Sequence, residues 1–212
     1  MNLQDLTLKQ FLEKTANNEP VPGGGSISAL HGAIAAALTE MLANITIGKK
    51  NYSAVEETMK LNATKASALR TEFLTDIDRD AEAYNLVFQA FRLPKDTDEQ
   101  KVLRSEKIQE ATKVAALVPM EVAERAFELL DLISETTRKG NKNAITDGCV
   151  AMMTCRTAVL GALLNVRINL ASIKDERFVK ELSEKCNRIE NETLRKEQEL
   201  TEFVGEEVRS GK

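Results

Sequence analysis

Helix breakers are scarce in this chain and unevenly placed, and that distribution limits the fold more than any other feature of its 212 residues. There are four prolines and ten glycines. Pro20, Pro22, Gly23, Gly24 and Gly25 fall together in the stretch EPVPGGGS, which leaves long uninterrupted runs elsewhere. Those runs are rich in Ala, Glu, Lys and Leu, residues that lose little on entering a helix. No strand-like alternation, internal repeat or low-complexity linker is visible. The expectation is an all-α single domain over 1–212, an antiparallel up-and-down bundle of five to six long helices.

The punctuation places those helices. A short one is expected over Leu8–Ala16, followed by an ordered loop, NNEPVPGGG. Ser26 can cap a second helix reaching Ile47, ended by Gly48, with Lys49 and Lys50 where cations suit the helix dipole. A third, very long helix spans Ser53–Leu93 and stops at Pro94. Thr97 caps a fourth that runs to Lys139, kinked at Pro119 and terminated by Gly140. A fifth covers Ala144–Ser172, and Asp175 caps a charged sixth reaching Arg209.

With aromatics at 4% and no tryptophan, the core must be built from Leu, Ile, Val, Ala and Met. The second and fifth helices are apolar nearly all round, more than a chain of this size can easily cover. Both carry small residues at four-residue spacing: Ser28, Gly32 and Ala36 in one, Ala158 and Ala162 in the other. Close helix approach through these stripes suggests a homodimer packed through the apolar helices. The most apolar segment, Ile27–Leu38, is short, alanine-rich and interrupted by His31, so it reads as a buried helix rather than a membrane span.

Net charge is −4 with both signs interspersed, unlike a nucleic-acid footprint. Cys149, Cys155 and Cys186 lack metal-ligand spacing and read as reduced thiols of a cytoplasmic protein. MNLQDLTLKQ has no basic region leading into an apolar run, so no signal peptide is expected. One histidine and no cysteine pair make a zinc site unexpected.

Chemistry is suggested by polar residues on apolar stripes. In the third helix Val55, Met59, Asn62, Ala66, Leu69, Phe73, Ile77, Asp80, Tyr84, Val87 and Phe91 form a seam with alternating spacings of four and three. Asp80 stands inside it. A buried carboxylate must be paired, protonated or in use, so both an ion-pair role and a ligand or catalytic role are open. Asp76 and Asp78 lie off the seam and are expected to be solvated. In the fifth helix Asp147, Arg156, Asn165, Arg167 and Asn169 interrupt an apolar run. Asp147 shares a face with Asn165 and Asn169 but lies eighteen residues earlier than Asn165, roughly 27 Å along the axis. One helix cannot bring both to a small ligand; another helix or subunit must intervene. Stabilising the helix dipole and bridging neighbouring helices are the plain alternatives for these polar groups.

The glycine run has two readings, a tight turn or close approach of something to bare backbone. It is not a Walker loop: Gly48-Lys49 is followed by Lys50, and Ala43 occupies the earlier glycine position. A dinucleotide fingerprint would need a preceding strand.

At PVPGGGSISAL the chain resembles the formiminotetrahydrofolate cyclodeaminase family, which also includes a group of methenyltetrahydrofolate cyclohydrolases. NITIGKKNY, DRDAEAYNLVFQAFRLPKDT, AALVPMEVAE, GNKNAITDGCVA and NVRINLASIKD extend the resemblance over Phe11–Phe178. Thr146 stands where the family pattern has serine before the aspartate, and it keeps a hydroxyl. His31 is outside the pattern.

The resemblance implies an all-α dimeric module acting on a folate, with no metal or redox cofactor. In animals the module is fused behind a formiminotransferase domain, so a stand-alone module with formiminotransferase as a partner is expected here. The implied reaction closes 5-formiminotetrahydrofolate to 5,10-methenyltetrahydrofolate and releases ammonia. The alternative is opening of the methenyl ring by water to 10-formyltetrahydrofolate. Within that frame Asp80 and Asp147 are the catalytic candidates, Asp80 as acid and Asp147 against the pterin edge, with roles that can be exchanged. Pro22, Gly23, Gly24, Gly25 and Ser26 are expected to bring backbone amides and a positive helix end to the ligand. Lys49, Lys50 and Lys95 are candidate contacts for the anionic folate tail, and Asn165 and Asn169 are further candidate folate-binding residues.

Overall fold

The computed structural model describes residues 2–210, and among these there is no strand. Six α-helices follow one another: α1 (Leu8–Thr15), α2 (Gly24–Asn44), α3 (Glu56–Phe91), α4 (Asp98–Lys139), α5 (Ile145–Leu170) and α6 (Glu176–Ser210). Successive long helices run antiparallel, as side-chain partners show. Arg70 of α3 binds Glu40 of α2, Asn62 of α3 binds Thr136 of α4, and Cys155 of α5 binds the Ala126 carbonyl of α4. Arg156 and Arg167 of α5 pair with Glu197 and Glu190 of α6.

Local signals account for most boundaries. Thr7 and Thr97 form capping boxes with Gln10 and Gln100. Asp175 accepts from the Phe178 amide at the start of α6. Three boundaries differ from expectation. α2 begins at Gly24 with Gly23 as its cap, so Ser26 is already its third residue and its side chain turns toward α3. α2 ends at Asn44, and the chain turns through Gly48, the one described glycine with a left-handed backbone (φ 74°). Residues Lys50–Val55 form a 3₁₀ turn before α3 proper. α4 runs unbroken through Pro119.

The α3 seam is core for its first two-thirds: Met59, Asn62, Ala66, Phe73 and Ile77 are all at least 98% buried. Beyond Asp80 the same stripe opens, with Tyr84 41% and Phe91 54% exposed, because it runs past the N-terminal end of α2. Asp76 corrects the sequence reading. It is fully buried, held by Arg79 and Arg125, and Arg79 also reaches Glu121. Asp78 is half-buried and receives the Leu3 and Gln4 amides of the N-terminal segment.

The small-residue stripes also serve a different end than expected. Ser28, Gly32, Ala36, Ala158 and Ala162 are all buried within the chain. A Cβ on Gly32 would lie 2.7 Å from the Phe73 ring, and one on Gly161 would lie 2.4 Å from the Ser28 hydroxyl. These stripes therefore let α2 pack closely on α3 and α5 inside one bundle. α2 and the stretch Lys142–Leu170 are long and apolar enough to cross a membrane by length and composition, yet 56% and 50% of their most apolar windows are buried in the bundle. The uncovered part is an exposed apolar face.

Candidate active site

Where α2 begins, five segments converge on a cavity of about 230 Å³. Its wall comprises Pro20, Val21 and Gly23–Gly25, then Asp80, Ala83, Tyr84 and Val87 of α3, Ala115 of α4, and Asn165 and Asn169 of α5. Larger grooves exist, including one of about 660 Å³ between α3 and α4 beside Lys65, Glu72 and Glu135. The cavity at the start of α2 combines a desolvated acid with converging polar groups.

The glycines are there for space, not for unusual dihedrals. Gly23 caps α2 with extended backbone (φ −114°, ψ −160°), which any residue can adopt. A Cβ on Gly25 would lie 1.9 Å from Asp80 Oδ1, whereas one on Gly24 would lie 3.2 Å from Asn165 Nδ2. What comes close to bare backbone is thus the chain's own carboxylate. Asp80 sits at the positive end of α2 and occupies the anion site expected for the ligand.

Ser26 completes this arrangement. Its hydroxyl is 2.9 Å from Asp80 Oδ2 and 3.1 Å from the Ile77 carbonyl oxygen. The hydroxyl proton is shared between these two acceptors. Burial raises the Asp80 pKa, opposed by hydrogen bonds from the Ser26 side chain and backbone. No described cation pairs with Asp80, and its carboxyl group lies open to a ligand in the cavity.

The asparagines face the same cavity. Asn165 Nδ2 donates to the Gly161 carbonyl, and Asn169 Nδ2 donates to the carbonyls of Ala115 and Asn165. Their side-chain oxygens have no hydrogen-bond donor among the described residues, so they add acceptors to the cavity wall. His31 lies outside it, half-buried on α2, its pKa lowered by burial and its Nδ1 without a partner among the described residues.

The formiminotransferase-cyclodeaminase family model matches residues 7–188. The chain belongs to that family. It is 41% identical over 175 residues to a methenyltetrahydrofolate cyclohydrolase of Methylorubrum extorquens, covering 82% of this chain and 84% of that protein. It is 32% identical over 177 residues to the mouse formimidoyltransferase-cyclodeaminase, covering 84% of this chain but 33% of that longer protein. Among solved structures, a formiminotetrahydrofolate cyclodeaminase from Thermotoga maritima superposes with a TM-score of 0.88 at 30% identity, over 98% of this chain and 100% of that one.

Within this family member the expected site residues separate into two groups. Asp80, Gly23, Gly24, Gly25, Asn165 and Asn169 line the cavity. Pro22 and Ser26 are buried behind its wall, where Ser26 holds Asp80. Lys95 is exposed in the loop after α3, away from the lining. Lys49 and Lys50 lie past the other end of α2, whose 21 residues span about 30 Å. Asp147 is in the first turn of α5, at that same far end. Neither lysine nor Asp147 reaches the cavity of its own chain. Tyr84 and Val87 were legible only as seam residues. Ala115 has one signal in the sequence, the proline four residues after it.

Proposed function

We propose that the chain is an enzyme acting on the one-carbon unit between N5 and N10 of tetrahydrofolate, and specifically that it closes 5-formiminotetrahydrofolate to the methenyl form with release of ammonia. The observation that carries this reading is Asp80: an acid without a charged partner among the described residues, its proton affinity raised by burial, on the wall of a cavity it shares with the glycine-rich start of α2, Tyr84 and two asparagines. Family membership supplies the substrate class.

The chemistry needs a proton moved more than it needs a strong acid. When N10 attacks the formimino carbon, N10 must lose a proton and the departing nitrogen must gain one. A carboxyl group with a raised proton affinity can perform both transfers in turn. Ring closure is intramolecular, so holding N10 over the carbon supplies much of the remaining acceleration. The pterin ring presents N–H donors, and Asn165 and Asn169 offer oxygens to receive them. This chemistry calls for neither a metal nor a redox cofactor.

A second reading is cyclohydrolase, in which water attacks the methenyl carbon and the ring opens to 10-formyltetrahydrofolate with loss of one proton. The 41% identity to the Methylorubrum extorquens protein favours it. Both reactions share the methenyl species. Incubating purified protein with 5-formiminotetrahydrofolate, and separately with 5,10-methenyltetrahydrofolate, and following the methenyl absorbance separates them. Gain of absorbance and ammonia in the first assay supports the deaminase; accelerated loss confined to the second supports the hydrolase; neither change refutes both.

A further inference from the structure

A proline inside a helix leaves the carbonyl four residues earlier without its amide donor, and its ring crowds that carbonyl away from the helix. Pro119 is buried in the interior of the 42-residue α4, and the carbonyl it orphans is that of Ala115. Ala115 lines the cavity. Its oxygen is not left unsatisfied: Asn169 Nδ2 donates to it at 2.9 Å across the α4–α5 interface. The same nitrogen donates to the Asn165 carbonyl at 2.8 Å. An amide nitrogen has two protons, and both are now committed. Rotating the Asn169 amide by half a turn would set its oxygen against two carbonyl oxygens. The orientation is therefore fixed, with Oδ1 left as an acceptor at the cavity wall.

We infer that Pro119 is a positioning residue for substrate specificity: by releasing the Ala115 carbonyl it locks Asn169 as an acceptor, so that the site takes a ring that presents an N–H group there and rejects one that presents a lone pair. The inference rests on the folate reading above, in which that N–H belongs to the reduced pterin. It assigns a task to a helix breaker that the bundle does not need for its topology, since α4 continues through it without a break. Asn165, one turn before Asn169 on α5, donates one of its two amide protons to the Gly161 carbonyl, so only Asn169 has its amide orientation set from both protons.

The decisive variant is Pro119→Ala, which restores an amide donor to the Ala115 carbonyl. Losing one neutral hydrogen bond that orients the ligand's partner should raise KM for the folate substrate about five- to tenfold, with kcat within about twofold. Tm should hold or rise, because a helix interior gains an amide and loses a proline. Asn169→Ala should raise KM to a similar extent, and adding Pro119→Ala to it should change nothing further. Unchanged KM in Pro119→Ala, or an equal rise in both backgrounds, overturns the inference. Pro119→Val restores the same donor while filling more of the space, and replaces Pro119→Ala if that variant fails to fold. A readout independent of catalysis is the Asn169 side-chain amide, identified by its disappearance from the spectrum of Asn169→Ala. Its protons should exchange slowly in the wild type and rapidly in Pro119→Ala. Equal exchange in both would refute the lock, even if the wild-type protein turned over neither folate and the functional reading had already fallen.

Discussion

At the scale of single residues, the site depends on Asp80 occupying space that Gly25 leaves empty. The pair Gly25→Ala and Gly24→Ala tests this. The first places a methyl 1.9 Å from Asp80 Oδ1, so the carboxylate or the start of α2 must move; the second meets only Asn165 Nδ2 at 3.2 Å. We expect Gly25→Ala to lower kcat at least a hundredfold, as small displacements of a reacting group do, while Gly24→Ala stays within about tenfold, the value of one disturbed hydrogen bond. Steady-state kinetics of the two decide it; equal effects would mean the glycines act only as a hinge. Asp80 also gives a signed pH dependence. Its pKa is raised in the folded state, so its contribution to stability is complete below the unfolded value near ~3.9 and is lost as pH rises through the folded value. Asp80→Asn should therefore abolish turnover yet melt at or above the wild-type temperature at neutral pH, the advantage vanishing in acid. If the protonated form is the working one, wild-type kcat/KM falls as pH climbs through the same raised value. Of these details the sequence showed Asp80, as a charge on an apolar stripe, but not its neighbour. Close approach of one side chain to one glycine depends on how two helices cross, which no local pattern encodes.

At the scale of elements, the helices were legible because each carries its own start and stop signals, such as the Thr97–Gln100 capping box, while contacts between helices were not. Asp76 shows the difference. Periodicity placed it off the seam, which is correct for the face toward α2, but α3 has a second buried face toward α4 where Arg125 waits. A helix covered on two sides has two stripes, and counting along one hides the other. The ion pairs of Asp76 with Arg125 and Arg79, extended to Glu121, fasten α3 to α4 one turn below Asp80. Arg125 is mostly buried and its only other carboxylate among the described residues is Glu72, 3.8 Å from Nε and exposed, so Asp76→Ala would leave its charge poorly compensated. We expect a loss of about 3–5 kcal/mol in urea unfolding, the usual cost of breaking one side of a buried pair. A loss below about 1 kcal/mol would mean that water reaches Arg125 and the pair is a surface one.

At the scale of the whole molecule, two observations converge on a second copy. α2 and α5 lie side by side and antiparallel, and their outer faces expose Ile34, Met41, Ile45, Val150, Met153, Leu164 and Ile168, each 38–72% accessible. An apolar face running the length of two helices is the kind of surface that marks a protein–protein interface. The cavity, at about 230 Å³, also falls below the ~300 Å³ at which ligand sites usually begin. A two-fold axis across these helices, passing near Ile34 and Met153–Thr157 at the middle of the face, would set the far end of one copy over the cavity end of the other. That far end holds Asp147, Lys49 and Lys50, which their own chain keeps about 27–30 Å from the cavity. The expected mass in light scattering is twice the 23.5 kDa of the chain, and Ile168→Glu should halve it. Coexpression of differently tagged Asp80→Asn and Asp147→Asn chains then tests what the pairing is for. If Asp147 serves the opposite copy, each variant alone is inactive, while a mixed dimer regains one intact site and about half of the wild-type rate. Full activity of Asp147→Asn alone, or a mixed dimer as inert as its parents, would confine the chemistry to one chain and reduce Asp147 to a partner of its own helix dipole.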